Sequence, residues 1–228
     1  APDEPVDSFY EYLWGGWQML GNAQTRDWYY QLTNAILKYK PQTINGHLWF
    51  RSTDYKTGAV LDDTTNSNLA AFYAELIAKS GYRDIGSQFY DSWTVWLDRF
   101  GLIPEVIDYA KNTVEDTKYW MRPEYVNSSF DLWFLTHDQK YRDTAYRYFQ
   151  ALRADCRTAN GYTVLMDVTK RPVVQGDYFP AYAFSENFKY LYLMFADSPR
   201  FDGFNYYLNT EGKALRGLLR DGKPAHIA

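Results

Sequence analysis

MRPEYVNSSFDLWFLT, residues 121–136, joins two halves that obey different rules. The second half is an apolar, aromatic run that predicts the buried face of a helix. The first half sets Arg122, Pro123 and Glu124 at that helix's mouth. A helix N-terminus leaves backbone N–H groups without partners and favours a carboxylate, and Pro123 suits the first helical position. On those grounds alone Glu124 is a capping acid and Arg122 its solvated neighbour, with no function required.

The same conflict recurs along the chain. Asp7 and Glu11 stand one helical turn apart in DSFYEYL, Glu105 lies in GLIPEV, and Glu186 sits in SENFKYLYLMF between Phe184 and Phe188. Like charges at i, i+4 are mildly destabilising on an exposed helix and costly on a buried one, so Asp7 and Glu11 need water, a cation or a counter-charge.

Working outward, helical periodicity dominates. Phe9, Leu13, Trp17 and Leu20 recur at spacings of four and three and predict a helix over 7–20. Further helices are expected over 25–39, 66–80, 84–100, 123–136, 138–156 and 181–196, separated by segments rich in Gly, Pro, Asn and Asp. HLWFRST (47–53) and YTVLMDVT (162–169) are β-branched and aromatic, and predict short hairpin strands in loops. No linker or repeat divides the chain, which predicts one all-α layer of helical hairpins, closed into a toroid or stacked as a solenoid.

Composition narrows the function classes. Aromatic residues make up 19% of the chain, with 22 Tyr and 8 Trp, which suits either a sugar-binding surface or a large helical core. The net charge of −4 and the absence of a basic block argue against nucleic acid as a partner. No apolar run reaches the roughly 18 residues of a membrane span, and APDEPVDS at the start has neither region of a signal peptide. The one cysteine, Cys156, excludes an intrachain disulfide and leaves a bridge to another chain open. His47, His137 and His226 match no metal-ligand spacing and are expected at the surface or in loops, and neither Ser67 nor Ser129 has a nucleophile-elbow setting.

DSFYEYL, GLIPEV, RPEYV, GYTVLMDVT, SENFKYLYLMF and YYLNTEG occur in an order that resembles family 47 of the glycoside hydrolases, the class I α-1,2-mannosidases. The resemblance runs from about residue 6 to 215. It implies an (α/α)7 barrel, of which residues 1–228 form the C-terminal half, with acids gathered round one Ca²⁺ whose other ligands are mannose hydroxyls. Carried over by position, Glu124 is the carboxylate that activates water and Asp7 a second catalytic carboxylate. Glu11, Glu105, Arg122, Tyr182 and Glu186 are expected to contact substrate, Tyr182 at a position where the family packs a Phe against the sugar. Thr210 is the expected direct calcium ligand, and Glu186 and Glu211 are expected to hold it through water. Arg122 is expected to favour the ionised form of Glu124 that a general base requires.

The implied activity is inverting removal of terminal α-1,2-linked mannose from a mannose-containing oligosaccharide or N-glycan. A second polypeptide, or residues of the same protein outside this sequence, is expected to supply the other half of the barrel across a large aromatic interface, in the secretory pathway or outside the cell, with Ala1 a candidate processing site. The chain also departs from the family. Asn127 stands where a second Glu follows RPE, Lys213 where a His-Pro pair is common, and SNLAAFYAEL (67–76) lacks an Asp-His pair. The acid contributed by the family's N-terminal half has no counterpart. These departures favour a second reading, a noncatalytic mannose-glycan-binding relative.

Overall fold

The computed structural model describes residues 2–39, 41–197, 206–216, 219–220 and 223–224; His226 lies outside them. Its helices are α1 (Asp7–Leu20), α2 (Ala23–Tyr39), α3 (Tyr73–Lys79), α4 (Arg83–Phe100), α5 (Glu124–Thr136), α6 (Gln139–Asp155) and α7 (Phe188–Phe195). α1 with α2, α3 with α4, and α5 with α6 make three hairpins. Contacts of α1 with α3, α3 with α5 and α5 with α7 join four helices into one wall, and α2, α4 and α6 pack behind it. This is the inner and outer layering of about half an (α/α) barrel. No helix among the described residues is long and apolar enough to cross a membrane.

Local chemistry explains where the helices begin and end. α2 starts at Ala23, two residues before the expected position, because Asn22 Oδ1 accepts the N–H groups of Gln24 and Thr25 at 2.9 and 3.3 Å. Asp138 caps α6 in the same way, accepting from Lys140 N at 3.0 Å. α3 is buried at every position from Tyr73 to Ala78, as a helix enclosed between two neighbours must be.

Two expected helices are interrupted. The 66–80 segment opens as strand β3 (Thr65–Ser67) and a 3₁₀ turn (Asn68–Phe72) before α3. Sheet pairing overrides helix propensity there, because β3 joins β4 (Val106–Asp108) and Asp3 takes the Ser67 N–H at 2.8 Å. The 181–196 segment begins with a π-helical turn, Ala183–Asn187, a widened geometry that recurs at functional sites.

The short strands are more numerous than sequence periodicity predicts. β1 (Pro41–Ile44) pairs with β2 (His47–Phe50) across Asn45 and Gly46, both at positive φ, and β5 (Thr113–Asp116) completes an antiparallel sheet with β3 and β4. The 162–169 segment contributes only β6 (Leu165–Asp167), paired with β7 (Val174–Gln175). His47 is therefore a half-buried strand residue and not a surface or loop one, whereas His137 ends α5 in the left-handed conformation.

Most of the aromatic content builds the core. Trp49 stacks on Tyr109 and Tyr90 on Tyr125 at centroid separations of 4.8 and 4.7 Å, geometries that add about 0.5–1.5 kcal/mol per pair beyond area burial. Some buried phenols keep partners, as Tyr90 does with Ser129 at 2.8 Å and Tyr29 with Ser80 at 2.9 Å, whereas the Tyr73 and Tyr109 hydroxyls have none among the described residues. Cys156 is fully buried and its thiol is pushed up to about 12, which removes it as a bridge to another chain.

Candidate active site

The approach to α5 answers the question raised by Arg122. Met121 holds φ at 60°, an uncommon conformation for a side chain of its size. The surrounding chain enforces it: Asn187 Nδ2 donates to the Met121 carbonyl at 3.0 Å and the Tyr148 hydroxyl donates to the Arg122 carbonyl at 3.1 Å. The resulting turn sends Arg122 to Glu105 and not to Glu124. Arg122 Nε lies 3.0 Å from Glu105 Oε2, while Glu105 Oε1 accepts the Trp120 N–H at 2.8 Å.

One cavity of about 190 Å³ opens on the concave side of the wall. α1 contributes Asp7 and Glu11, the turn into α5 contributes Arg122, Pro123 and Glu124, and α5 itself adds Asn127. Tyr182, Glu186 and Tyr190 line it from the π turn and α7, and Leu69 and Phe72 from the 3₁₀ turn.

The last wall is the hairpin tip between β8 (Tyr206–Leu208) and β9 (Ala214–Arg216), which brings Thr210 and Glu211. Asn209 Oδ1 shapes the tip by accepting from Glu211 N and Lys213 N at 3.1 and 2.8 Å. Gly212 lets it approach: a Cβ there would lie 2.3 Å from the Ser185 carbonyl and 2.9 Å from Glu186 Cγ, and its φ is +64°. Thr210 Oγ1 is hydrogen-bonded to the Tyr12 hydroxyl at 3.0 Å, fastening the tip to α1.

Every predicted site residue except Glu105 therefore lines one cavity. Glu105 is 5% exposed and sits behind Arg122, so it acts on the cavity through the guanidinium. Tyr182 donates its hydroxyl to the Trp120 carbonyl at 2.7 Å, and Arg122 lies 5.7 Å from its ring centroid.

Arg122 acts on Glu124 in the expected direction, but against a larger opposing cause. Burial raises the Glu124 carboxyl to about 8, against the lowering influence of its own backbone N–H and of Arg122, while Glu186 and Glu105 push it higher. The guanidinium is shared with Glu105, and burial outweighs its pull on Glu124. Burial and then Glu211 raise Glu186 to about 8, and burial followed by Glu75 raises Glu11 well above the carboxylate range. Glu124 Oε2 is shut from solvent without a hydrogen-bond partner among the described residues.

These carboxyls bear on whether a cation fits. No three His, Cys, Asp or Glu side chains among the described residues converge closely enough to chelate a metal by themselves. The donors around the cavity are carboxylates, the Thr210 hydroxyl and the Asn127 amide, an all-oxygen set that matches a hard cation reached partly through water. The orphaned Glu124 oxygen and the mutual repulsion of Glu186 and Glu211 would be met by positive charge at that place.

Beneath the cavity sequence reading missed a charged cluster. Lys79 on α3 lies 2.6 Å from Glu75 and 2.8 Å from Asp131 of α5. Glu75 and Lys79 at i, i+4 give a signal, but one that an exposed helix pair shares.

The model of glycosyl hydrolase family 47 matches residues 3–217, and the chain belongs to that family. It is 30% identical to mannosyl-oligosaccharide alpha-1,2-mannosidase IA of Drosophila melanogaster over 92% of this chain and 34% of that protein. It is also 30% identical to mannosyl-oligosaccharide 1,2-alpha-mannosidase IA of Sus scrofa over 95% of this chain and 36% of that protein. The chain thus spans about a third of the length of these curated relatives. An alpha-1,2-mannosidase from Trichoderma reesei shares the fold, with a TM-score of 0.83 and 21% identity over 95% of this chain and 52% of that one.

Proposed function

We propose that the cavity is the centre of a calcium-dependent glycosidase that removes terminal α-1,2-linked mannose with inversion, completed by the other half of the barrel on a second polypeptide. The observation that carries this reading is the convergence of Asp7, Glu11, Arg122, Glu124, Tyr182, Glu186, Thr210 and Glu211 on one cavity from four separate segments. Inverting hydrolysis needs one carboxylic acid to protonate the leaving oxygen and one carboxylate to take a proton from water on the opposite sugar face. Glu124 holds the water-activating position and Asp7 is the second carboxylate. Tyr182 offers a ring face to the sugar, fixed by its own hydroxyl bond, and the Glu105–Arg122 pair keeps the guanidinium in place beside it.

Calcium would be held by Thr210 directly and by Glu186 and Glu211 through water, where its charge favours ionised carboxyls and orders sugar hydroxyls. Glu124, buried and unpartnered, would act as the base in its ionised form, which a nearby positive charge would favour. The relatives named as mannosyl-oligosaccharide mannosidases support a mannose-containing oligosaccharide or N-glycan as substrate, and the proposed place of action is the secretory pathway or outside the cell. Phe9, Tyr12 and Leu20 on α1 and Phe184 and Tyr192 beside α7 are exposed apolar groups near the two ends of the inner wall, where a completing half would dock.

The test is α-1,2-mannobiose incubated with the chain alone and with any polypeptide that co-purifies with it, followed by release of mannose. Calcium-dependent release by the assembly is expected. Binding of the disaccharide without release favours the noncatalytic reading, for which Asn127 and the raised Glu124 carboxyl speak. Neither binding nor release overturns both.

A further inference from the structure

Asn127 lines the main cavity and also a smaller one of about 20 Å³ beneath it, which Lys79 and Glu75 line as well. Asn127, with Glu11 and Tyr190, thus borders both the acid-lined space and the Lys79 cluster. One helical turn further along α5, Asp131 receives two donors: Lys79 Nζ at 2.8 Å and, on the same Oδ2, Asn127 Nδ2 at 3.4 Å.

A carboxylate paired with an ammonium can only accept hydrogen bonds, so the amide beside it must turn its NH₂ toward Asp131. The same rotation turns the amide Oδ1 away from Asp131, on a side chain that lines the main cavity. A carboxylate at position 127 would instead stand i, i+4 from Asp131, within a site that already holds Glu11, Glu124, Glu186 and Glu211. A neutral amide keeps an oxygen donor at the cavity lining without that repulsion.

We propose that Lys79 and Asp131 are positioning residues: Lys79 holds Asp131, Asp131 takes the Asn127 NH₂, and Asn127 therefore presents Oδ1 as a neutral ligand to a hard divalent cation in the cavity. This rests on the reading of the cavity as a calcium site. Lys79 ties α3 to α5 at the same time, so the relay is built on the two central helices of the inner wall.

The test uses the full 228-residue chain and two independent readouts. Terbium luminescence sensitised by the cavity aromatics, displaced by calcium, measures cation affinity, and the assigned Asn127 side-chain amide resonances report what its NH₂ contacts. Lys79→Met and Asp131→Asn should each weaken calcium about tenfold or more, the usual cost of losing an outer partner of a ligand, and both should shift the Asn127 amide signals and speed their exchange with solvent. Lys79→Arg should restore both. Circular dichroism separates a folded variant from an unfolded one; if Lys79→Met fails to fold, Asp131→Asn carries the comparison. Wild-type chain that binds neither terbium nor calcium overturns the calcium reading and the ligand role of Asn127 together. Wild-type binding with fast-exchanging Asn127 protons, or folded variants with unchanged calcium affinity, overturns the relay alone.

Discussion

Two sets of buried acids share one concave wall and are treated in opposite ways. On the floor, Glu75 and Asp131 close on Lys79 at 2.6 and 2.8 Å, and behind Arg122 the Glu105 carboxylate is satisfied by a guanidinium and a backbone N–H. Burial raises carboxyls in both sets, Glu75 and Glu105 included, but among the described residues no ion pair offsets it at Glu11, Glu124 or Glu186, and Glu124 keeps an oxygen without a partner. Acids that hold the fold are paired, and acids placed for chemistry are left to find a counter-charge in a ligand. The two sets should answer substitution differently.

The largest contrast is expected at Glu124. Glu124→Gln preserves shape and removes the basic oxygen, so turnover by the hydrolytic assembly should fall by roughly 10² to 10⁴, with mannose affinity nearly unchanged. Stability of the chain should hold or rise, because a buried carboxyl is replaced by a neutral amide. A fully active Gln variant would move the base elsewhere, with Asp7 next in line.

The floor should behave in reverse. Lys79→Met strands two carboxylates and is expected to cost about 3 kcal/mol in urea unfolding, the lower end for a broken buried pair because Lys79 keeps 27% exposure. A loss below about 1 kcal/mol would erase the distinction between the two sets.

A smaller effect follows from the raised cavity carboxyls. The folded chain retains protons on Glu124 and Glu186 that the unfolded chain releases between about pH 4.5 and 8, so these groups weaken stability as pH rises through that window. The melting temperature should decline from pH 5 to 8, by about 2–4 °C for each kcal/mol lost, and calcium should recover most at pH 8. A flat profile in demetallated protein would show that the cavity acids are compensated already.

Thr210→Val should have the smallest effect on the metal-free chain, about 1 kcal/mol for the bond to Tyr12. It should abolish the calcium-induced rise in melting temperature. Retention of that rise would remove Thr210 from the ligand set.

What the sequence disclosed follows the reach of each interaction. Helices set by periodicity and local caps were readable to within a residue or two, as α1 and α4 were. The strands that anchor Glu105 were not, because β3 and β4 meet across forty residues of chain and each is three residues long. Asn45-Gly46 was a hairpin signal available for β1 and β2. The cavity acids were readable as charges on aromatic helix faces, and the six ordered motifs joined them. Their pairing was not readable, since Arg122 neighbours Glu124 in sequence but reaches Glu105 only through the strained turn at Met121. Asp131 and Lys79 lie on different helices and look like ordinary solvated charges until α3 packs on α5.

The central claim is that the unpaired cavity acids work as the acid and base of an inverting glycosidase. Proton NMR of the first minutes of α-1,2-mannobiose cleavage by the hydrolytic assembly, in the presence of calcium, tests it directly. The account predicts that β-mannose appears first and mutarotates later, with Glu124→Gln silent under the same conditions. An initial α-anomer would indicate a covalent intermediate and retention, and would contradict the roles given to Glu124 and Asp7.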